Sequence, residues 1–223
     1  MYQKEKNEVI KAGITLDRYE LIALSGGNIS MRIGDQVLVT PSGMIYEDMV
    51  EDDVLVVDLD GNVIEGNRKP SVDTGALLHI FRSDESIKAV IHTHQPYATA
   101  VGLVADELPC NLTTMANAVR GSVKVVPYTS AATEQMGIEA IKYLNGRLAV
   151  ILKNHGVIAV GESLKQALYA CVYLEEAAKT YAIAKSIGEN VAMLSDDQVE
   201  QAVDVFKYYG QNTPKYPGMP KQN

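Results

Sequence analysis

Cysteine is almost missing from this chain: Cys110 and Cys171 are the only two in 223 residues, and they form no Cys-x-x-Cys pair. Two distant thiols exclude a disulfide framework and a thiolate zinc cluster, and they suit a reducing cytoplasm. Basic charge is also short, with 20 Lys and Arg against 28 Asp and Glu, a net charge of −8. Binding a nucleic-acid duplex needs a basic footprint, so nucleic acid is not expected as a partner, nor is an anionic membrane surface. No run approaches the roughly 18 uninterrupted apolar residues of a membrane span. Residues 1–10 are polar and charged where a signal peptide would carry an apolar core, so a cytoplasmic location is expected. There is no Walker A lysine pattern and no Gly-x-Gly-x-x-Gly after a strand, which leaves nucleotide sites unsupported.

What is present can fill one sizeable core: 47% of the residues are hydrophobic, in a chain of the length of one large domain. Val9, Ile10, Ile14, Leu21 and Ile22 recur at helical spacing, predicting a helix over 2–24 that stops at Ser25-Gly26-Gly27-Asn28. Strands are expected over 36–40 and 89–94, with a hairpin around Asp60-Gly61 joining 54–58 to 63–64. A helix is expected over 72–82. A strand pair, 149–152 and 156–160, flanks Asn154-His155. Ser163 with Gln166, and Ser195 with Gln198, read as capping boxes opening helices that run to about 187 and about 208. Residues 212–223 hold three prolines and no periodic pattern, so a flexible tail is expected after a domain spanning 1–211. Short strands mixed with long helices predict a single α/β or α+β domain with a mainly antiparallel sheet.

The chain has four histidines: His79, His92, His94 and His155. Residues i and i+2 of a strand project from one face, so His92 and His94 can reach one cation. His155 lies in a second strand–turn–strand region that could bring a third nitrogen. Three neutral imidazoles suit a divalent transition metal, most simply Zn2+. His79 falls in an apolar helical stretch and reads as a packed or hydrogen-bonded structural residue. Asp73, at the start of the helix expected over 72–82, is the candidate fourth ligand. Taken alone it reads as a helix N-cap, and a carboxylate that can leave a metal would be free to act as a base.

Three turns are rich in Ser, Gly and Asn: Ser25-Gly26-Gly27-Asn28, Thr40-Pro41-Ser42-Gly43 and Pro70-Ser71. Glycine turns let backbone N–H groups converge on an anion, hydroxyls add donors, and a helix behind Ser71 would add its positive end.

Taken in order, six segments carry a resemblance. They are Gly26-Gly27-Asn28-Ile29-Ser30, Thr40-Pro41-Ser42-Gly43, Lys69-Pro70-Ser71-Val72-Asp73-Thr74, His92-Thr93-His94, Asn154-His155-Gly156 and Tyr208-Tyr209-Gly210. Over residues 5–211 the chain resembles the class II aldolase and adducin-domain family, whose members include L-fuculose-1-phosphate aldolase and L-ribulose-5-phosphate 4-epimerase. The resemblance implies a three-layer α/β domain with a central, mainly antiparallel sheet between helical layers. It implies zinc, or else manganese or cobalt, held by His92, His94 and His155 with the Asp73 carboxylate close by. It implies a phosphate site from Asn28, Ser42, Gly43 and Ser71, with Ser25 and Gly27. It further implies a homotetramer whose active site lies between subunits, with Tyr209 entering the adjacent site.

The fuculose aldolase has glutamate where Asp73 stands, and the epimerase has aspartate. The epimerase's second acid has no counterpart in 113–132, where Ala131 and its neighbours stand, and the aldolase's additional tyrosine is replaced by Thr113. The expected activity is aldol cleavage of a ketose 1-phosphate to dihydroxyacetone phosphate and an aldehyde, with 4-epimerisation as the alternative. A phosphorylated sugar-acid dehydratase or decarboxylase, and a non-enzymatic adducin-like binding module, are the further readings.

Overall fold

A computed structural model describes residues 1–209 and 211 of the chain. Nine strands form one sheet in the order β4-β3-β2-β1-β5-β9-β8-β7-β6. In chain order these are β1 (Asn28–Ile33), β2 (Gln36–Val39), β3 (Leu55–Asp58), β4 (Val63–Glu65), β5 (Ala89–Thr93), β6 (Glu107–Leu108), β7 (Val123–Val126), β8 (Ala149–Leu152) and β9 (Gly156–Gly161). The helices are α1 (Gln3–Arg18), α2 (Thr74–Ser83), α3 (Pro96–Val104), α4 (Thr113–Val119), α5 (Glu134–Leu144), α6 (Leu164–Ile187) and α7 (Asp196–Phe206).

Every strand pairing is antiparallel except β7 with β8. The central strands β5, β8 and β9 are buried along their whole length, as expected of strands covered on both faces. Helices α2 and α5 pack together against one side, and α1, α3 and α6 pack against the other, with α4 beside α6 and α7 packed on α4. Within α6, Ala167, Ala170, Cys171, Leu174, Ala177 and Ala178 are buried at helical spacing, and the small side chains let the helix lie close to the sheet. The α/β domain with a central, mainly antiparallel sheet between helical layers is therefore present as expected.

Several expected boundaries move. The first helix stops at Arg18, six residues short of the predicted end, because Glu20 and Leu24 take left-handed backbone angles. Leu21 and Ile22 are buried from an irregular connection, which is why their spacing imitated a helix. The Ser163 box is half formed: its hydroxyl accepts the Gln166 N–H, but the Gln166 side chain accepts from Glu162 rather than from Ser163. The Ser195–Gln198 box forms in both directions, and α7 ends at Phe206. Strand β1 and all elements between Pro96 and Leu144 had no counterpart in the sequence reading. The tail expected at 212–223, and Gly210 of the last motif, lie outside the described residues. Among the described residues, no helix is long and apolar enough to cross a membrane.

Candidate active site

The site is assembled where β1 and β5 lie side by side. Their register pairs Asn28 with His92. His92 is fully buried in the middle of the sheet, and His94 follows just past the end of β5. His155 comes from the turn between β8 and β9, where Asn154 takes a left-handed conformation (φ 61°) that asparagine tolerates. Two glycines make the approach possible. A Cβ on Gly156 would stand 2.1 Å from the Thr93 carbonyl oxygen. A Cβ on Gly27 would stand 2.5 Å from the His92 carbonyl oxygen, and Gly27 also has φ 72°. Only residues without a side chain let the two turns close onto β5.

The ligand-capable nitrogens of His92, His94 and His155 all lie within 4.8 Å of one another. The Nε2 atoms of His92 and His94 are 3.1 Å apart. Two nitrogens bound tetrahedrally at about 2.0–2.1 Å from zinc stand about 3.3 Å apart, so the observed spacing fits two ligands on one ion. His92 donates Nδ1–H to the Val157 carbonyl at 2.9 Å, which leaves its Nε2 lone pair free to ligate. Burial, with repulsion from any charge on His155 or His94, pushes the His92 pKa down to about 4. Burial likewise lowers that of His94. Both effects hold the rings neutral, the state in which imidazole binds metal. The donor set thus fits a divalent transition ion.

Asp73 lines the same pocket but is not one of the three groups at metal spacing. It sits at the N-cap position of α2, yet its side chain makes no capping bond. Its Oδ2 accepts from Asn28 Nδ2 at 2.8 Å, and its Oδ1 accepts the Ala132 backbone N–H at 3.1 Å. Ala132 itself has φ 60°. Asn28 Oδ1 is buried with no partner, and among the described residues it is the one such atom that belongs to the pocket. A substrate hydroxyl would satisfy it.

The remaining walls are the three predicted turns. Ser42 N–H donates to the Lys69 carbonyl at 2.9 Å and Ser71 N–H to the Thr40 carbonyl at 3.1 Å, which ties the second and third turns together. Ser25, Gly27, Asn28, Ser42, Gly43 and Ser71 all line one pocket of about 200 Å³ with the three histidines, Asp73 and Ala131. Tyr209 is different: it is 75% exposed beside Phe206 and does not line this pocket in the single chain. His79 stands apart as expected, 3.1 Å from Glu134.

Sequence reading did not find the Val157 carbonyl behind His92 or the Ala132 N–H on Asp73. Backbone groups occur at every residue, so no side-chain pattern could reveal them.

The family model described as Class II Aldolase and Adducin N-terminal domain matches residues 7–182, and the chain belongs to that family. It is 37% identical to a 5-deoxy-D-ribulose 1-phosphate aldolase of Bacillus thuringiensis serovar kurstaki, over 95% of this chain and 99% of that one. It is 29% identical to the L-fuculose phosphate aldolase of Escherichia coli, over 93% and 96% of the two chains. A solved L-fuculose 1-phosphate aldolase superposes with a TM-score of 0.86 at 33% identity, covering 91% of this chain and 96% of that one. The protein is a class II aldolase, a carbon–carbon lyase whose histidine triad can hold a metal ion.

Proposed function

We propose that the protein cleaves a ketose 1-phosphate of the 5-deoxyribulose or fuculose type, reversibly, to dihydroxyacetone phosphate and an aldehyde. The observation that carries this reading is one pocket containing three imidazoles at metal spacing, the Asp73 carboxylate, and three serine- and glycine-rich turns. The named activities of the relatives at 37% and 33% identity support the substrate class.

His92, His94 and His155 would hold the ion, Zn2+ or else Mn2+ or Co2+, with Asp73 close to it. When bound, a divalent ion supplies Lewis-acid stabilisation of the negative charge that builds on oxygen as a carbon–carbon bond opens. Ser42, Gly43 and Ser71, with Ser25, Gly27 and the second amide hydrogen of Asn28, bind the phosphate and orient the substrate. In the condensation direction Asp73 takes a proton from the carbon of dihydroxyacetone phosphate that forms the new bond. The partner subunit's Tyr209 gives a proton to the aldehyde oxygen. Cleavage runs both transfers in reverse, so one proton leaves the hydroxyl and one reaches carbon. This arrangement needs a homotetramer, or at least a neighbouring copy, to complete the site.

Among the described residues one carboxylate, Asp73, lines the pocket, and this favours cleavage over 4-epimerisation, which in this family uses a further acid. The test is incubation of the zinc-loaded protein with 5-deoxyribulose 1-phosphate and with L-fuculose 1-phosphate. Release of dihydroxyacetone phosphate is expected. No release, with rapid interconversion of pentulose 5-phosphates instead, overturns the reading.

A further inference from the structure

A buried acid behind the site has no part in the mechanism above. Glu175, on α6, is 8% exposed and lies among Cys171, Leu174, Ala177 and Ala178, all fully buried. Its Oε1 accepts the Tyr97 N–H at 2.8 Å and its Oε2 accepts the Ala98 N–H at 2.9 Å. These are the second and third residues of α3. Pro96, the first, has no N–H to satisfy, and Gln95 at the N-cap makes no capping bond of its own. One carboxylate from another helix therefore does the work of the missing cap.

The chain of contacts continues towards the histidines. Gln95 is fully buried, and its Nε2 donates to the Cys171 carbonyl at 3.2 Å and approaches Glu175 Oε2 at 3.5 Å. Its Oε1 accepts the Thr93 hydroxyl at 2.7 Å. Thr93 stands between His92 and His94 on β5, and alternation turns its side chain to the face opposite theirs. The end of β5, which carries His92 and leads straight into His94, is thus held from behind through the buried Thr93, Gln95 and Glu175. Burial raises the Glu175 pKa against the pull of its two N–H bonds, so the group is held there at a cost.

We infer that Glu175 is a positioning residue for the metal site: by fixing the turn after His94, it holds the His92–His94 pair at ligand spacing before an ion arrives. This rests on the reading of the three histidines as a metal centre. The consequence is that metal affinity depends on a carboxylate that never touches the metal.

The test uses Co2+ as the probe, added to chelator-stripped full-length protein. Affinity is read by competition with a chromophoric chelator, geometry by the visible Co2+ absorption, and folding by thermal melting. Glu175→Gln keeps the side-chain length but offers one acceptor oxygen to two N–H donors. It is expected to weaken Co2+ binding by about tenfold or more, the size seen when supporting partners of metal ligands are removed, and to alter the absorption band. Thr93→Val, which removes only the hydroxyl link to Gln95, is expected to act in the same direction. Leu174→Ala, a truncation on the same helix, is expected to lower the melting temperature and leave both Co2+ readouts unchanged. Wild-type affinity in Glu175→Gln, or an equal loss in Leu174→Ala, overturns the positioning role alone. A wild-type chain that takes up no Co2+ overturns the metal reading and this inference with it.

Discussion

Asn28 donates its side-chain amide to Asp73 across 2.8 Å, and both residues are buried at the floor of the same pocket. With the Ala132 N–H on its other oxygen, the carboxylate is held from two sides. Asp73→Asn is expected to cut kcat by about 10²–10⁴-fold, the usual worth of a positioned acid–base group, while metal content stays near one ion per chain. Steady-state cleavage rates and metal analysis of the same preparation check this. Loss of the metal together with activity would make Asp73 a ligand first.

His92→Ala removes one of three nitrogens at metal spacing, and it leaves the Val157 carbonyl without its donor. Metal content is expected to fall severalfold and cleavage to drop below detection. Retained metal and turnover, read by elemental analysis and dihydroxyacetone phosphate release, would remove the ligand assignment.

Tyr209→Phe is expected to leave metal content and the melting temperature unchanged and to slow cleavage at least tenfold. The residue lies on the surface beside Phe206, so losing its hydroxyl disturbs no core packing. Unchanged turnover would remove Tyr209 from the proton path.

Gly156→Ala introduces a methyl group 2.1 Å from the Thr93 carbonyl oxygen, so β9 or β5 must shift. Overpacking of this kind costs about 1–3 kcal/mol. The expected result is a lower melting temperature together with weaker metal binding, because His155 precedes the displaced residue. A stable variant with wild-type metal affinity would show that the close approach is dispensable.

Acid should loosen the β3–β4 edge of the sheet. Bonds from Lys6 and the N-terminal amine hold the Glu65 carboxyl below its ordinary pKa. The Val50 N–H, with Arg68, does the same for Asp53. Both carboxyls bind protons less readily folded than unfolded. Their contribution is therefore complete above the ordinary carboxylate pKa of about 4 and is lost as pH falls through the lower folded values. Melting temperatures from pH 7 down to pH 3 should fall in that acid range, and Glu65→Gln should flatten the decline. An equal slope in the variant would exclude Glu65 as a contributor.

The parts of this protein that the sequence made legible are those with a repeat distance or a special residue. His92 and His94 share a face because strands alternate, and Gly27 and Gly43 mark turns that need positive φ. Much of the stretch between Pro96 and Leu144 was illegible for a physical reason. α3 is apolar nearly all round, α4 has only seven residues, and β6 has two, so none of these three presents a period. α5 is different: Met136, Ala140 and Leu144 are buried at helical spacing, a signal present in the sequence that was missed. Asp73 was placed at a helix start, but its partners were not foreseeable. Asn28 is forty-five residues away, and the Ala132 N–H is a group every non-proline residue possesses.

His155 follows His94 only after α3, α4 and α5 have been laid down, and it reaches its place by the pairing of β9 with β5. A growing polypeptide that has not yet threaded this turn offers a two-pronged clamp. On the proposed metal reading, full-strength capture of an ion waits for the whole middle of the chain to be synthesised and docked, so tight retention would report that this part of the fold is in place.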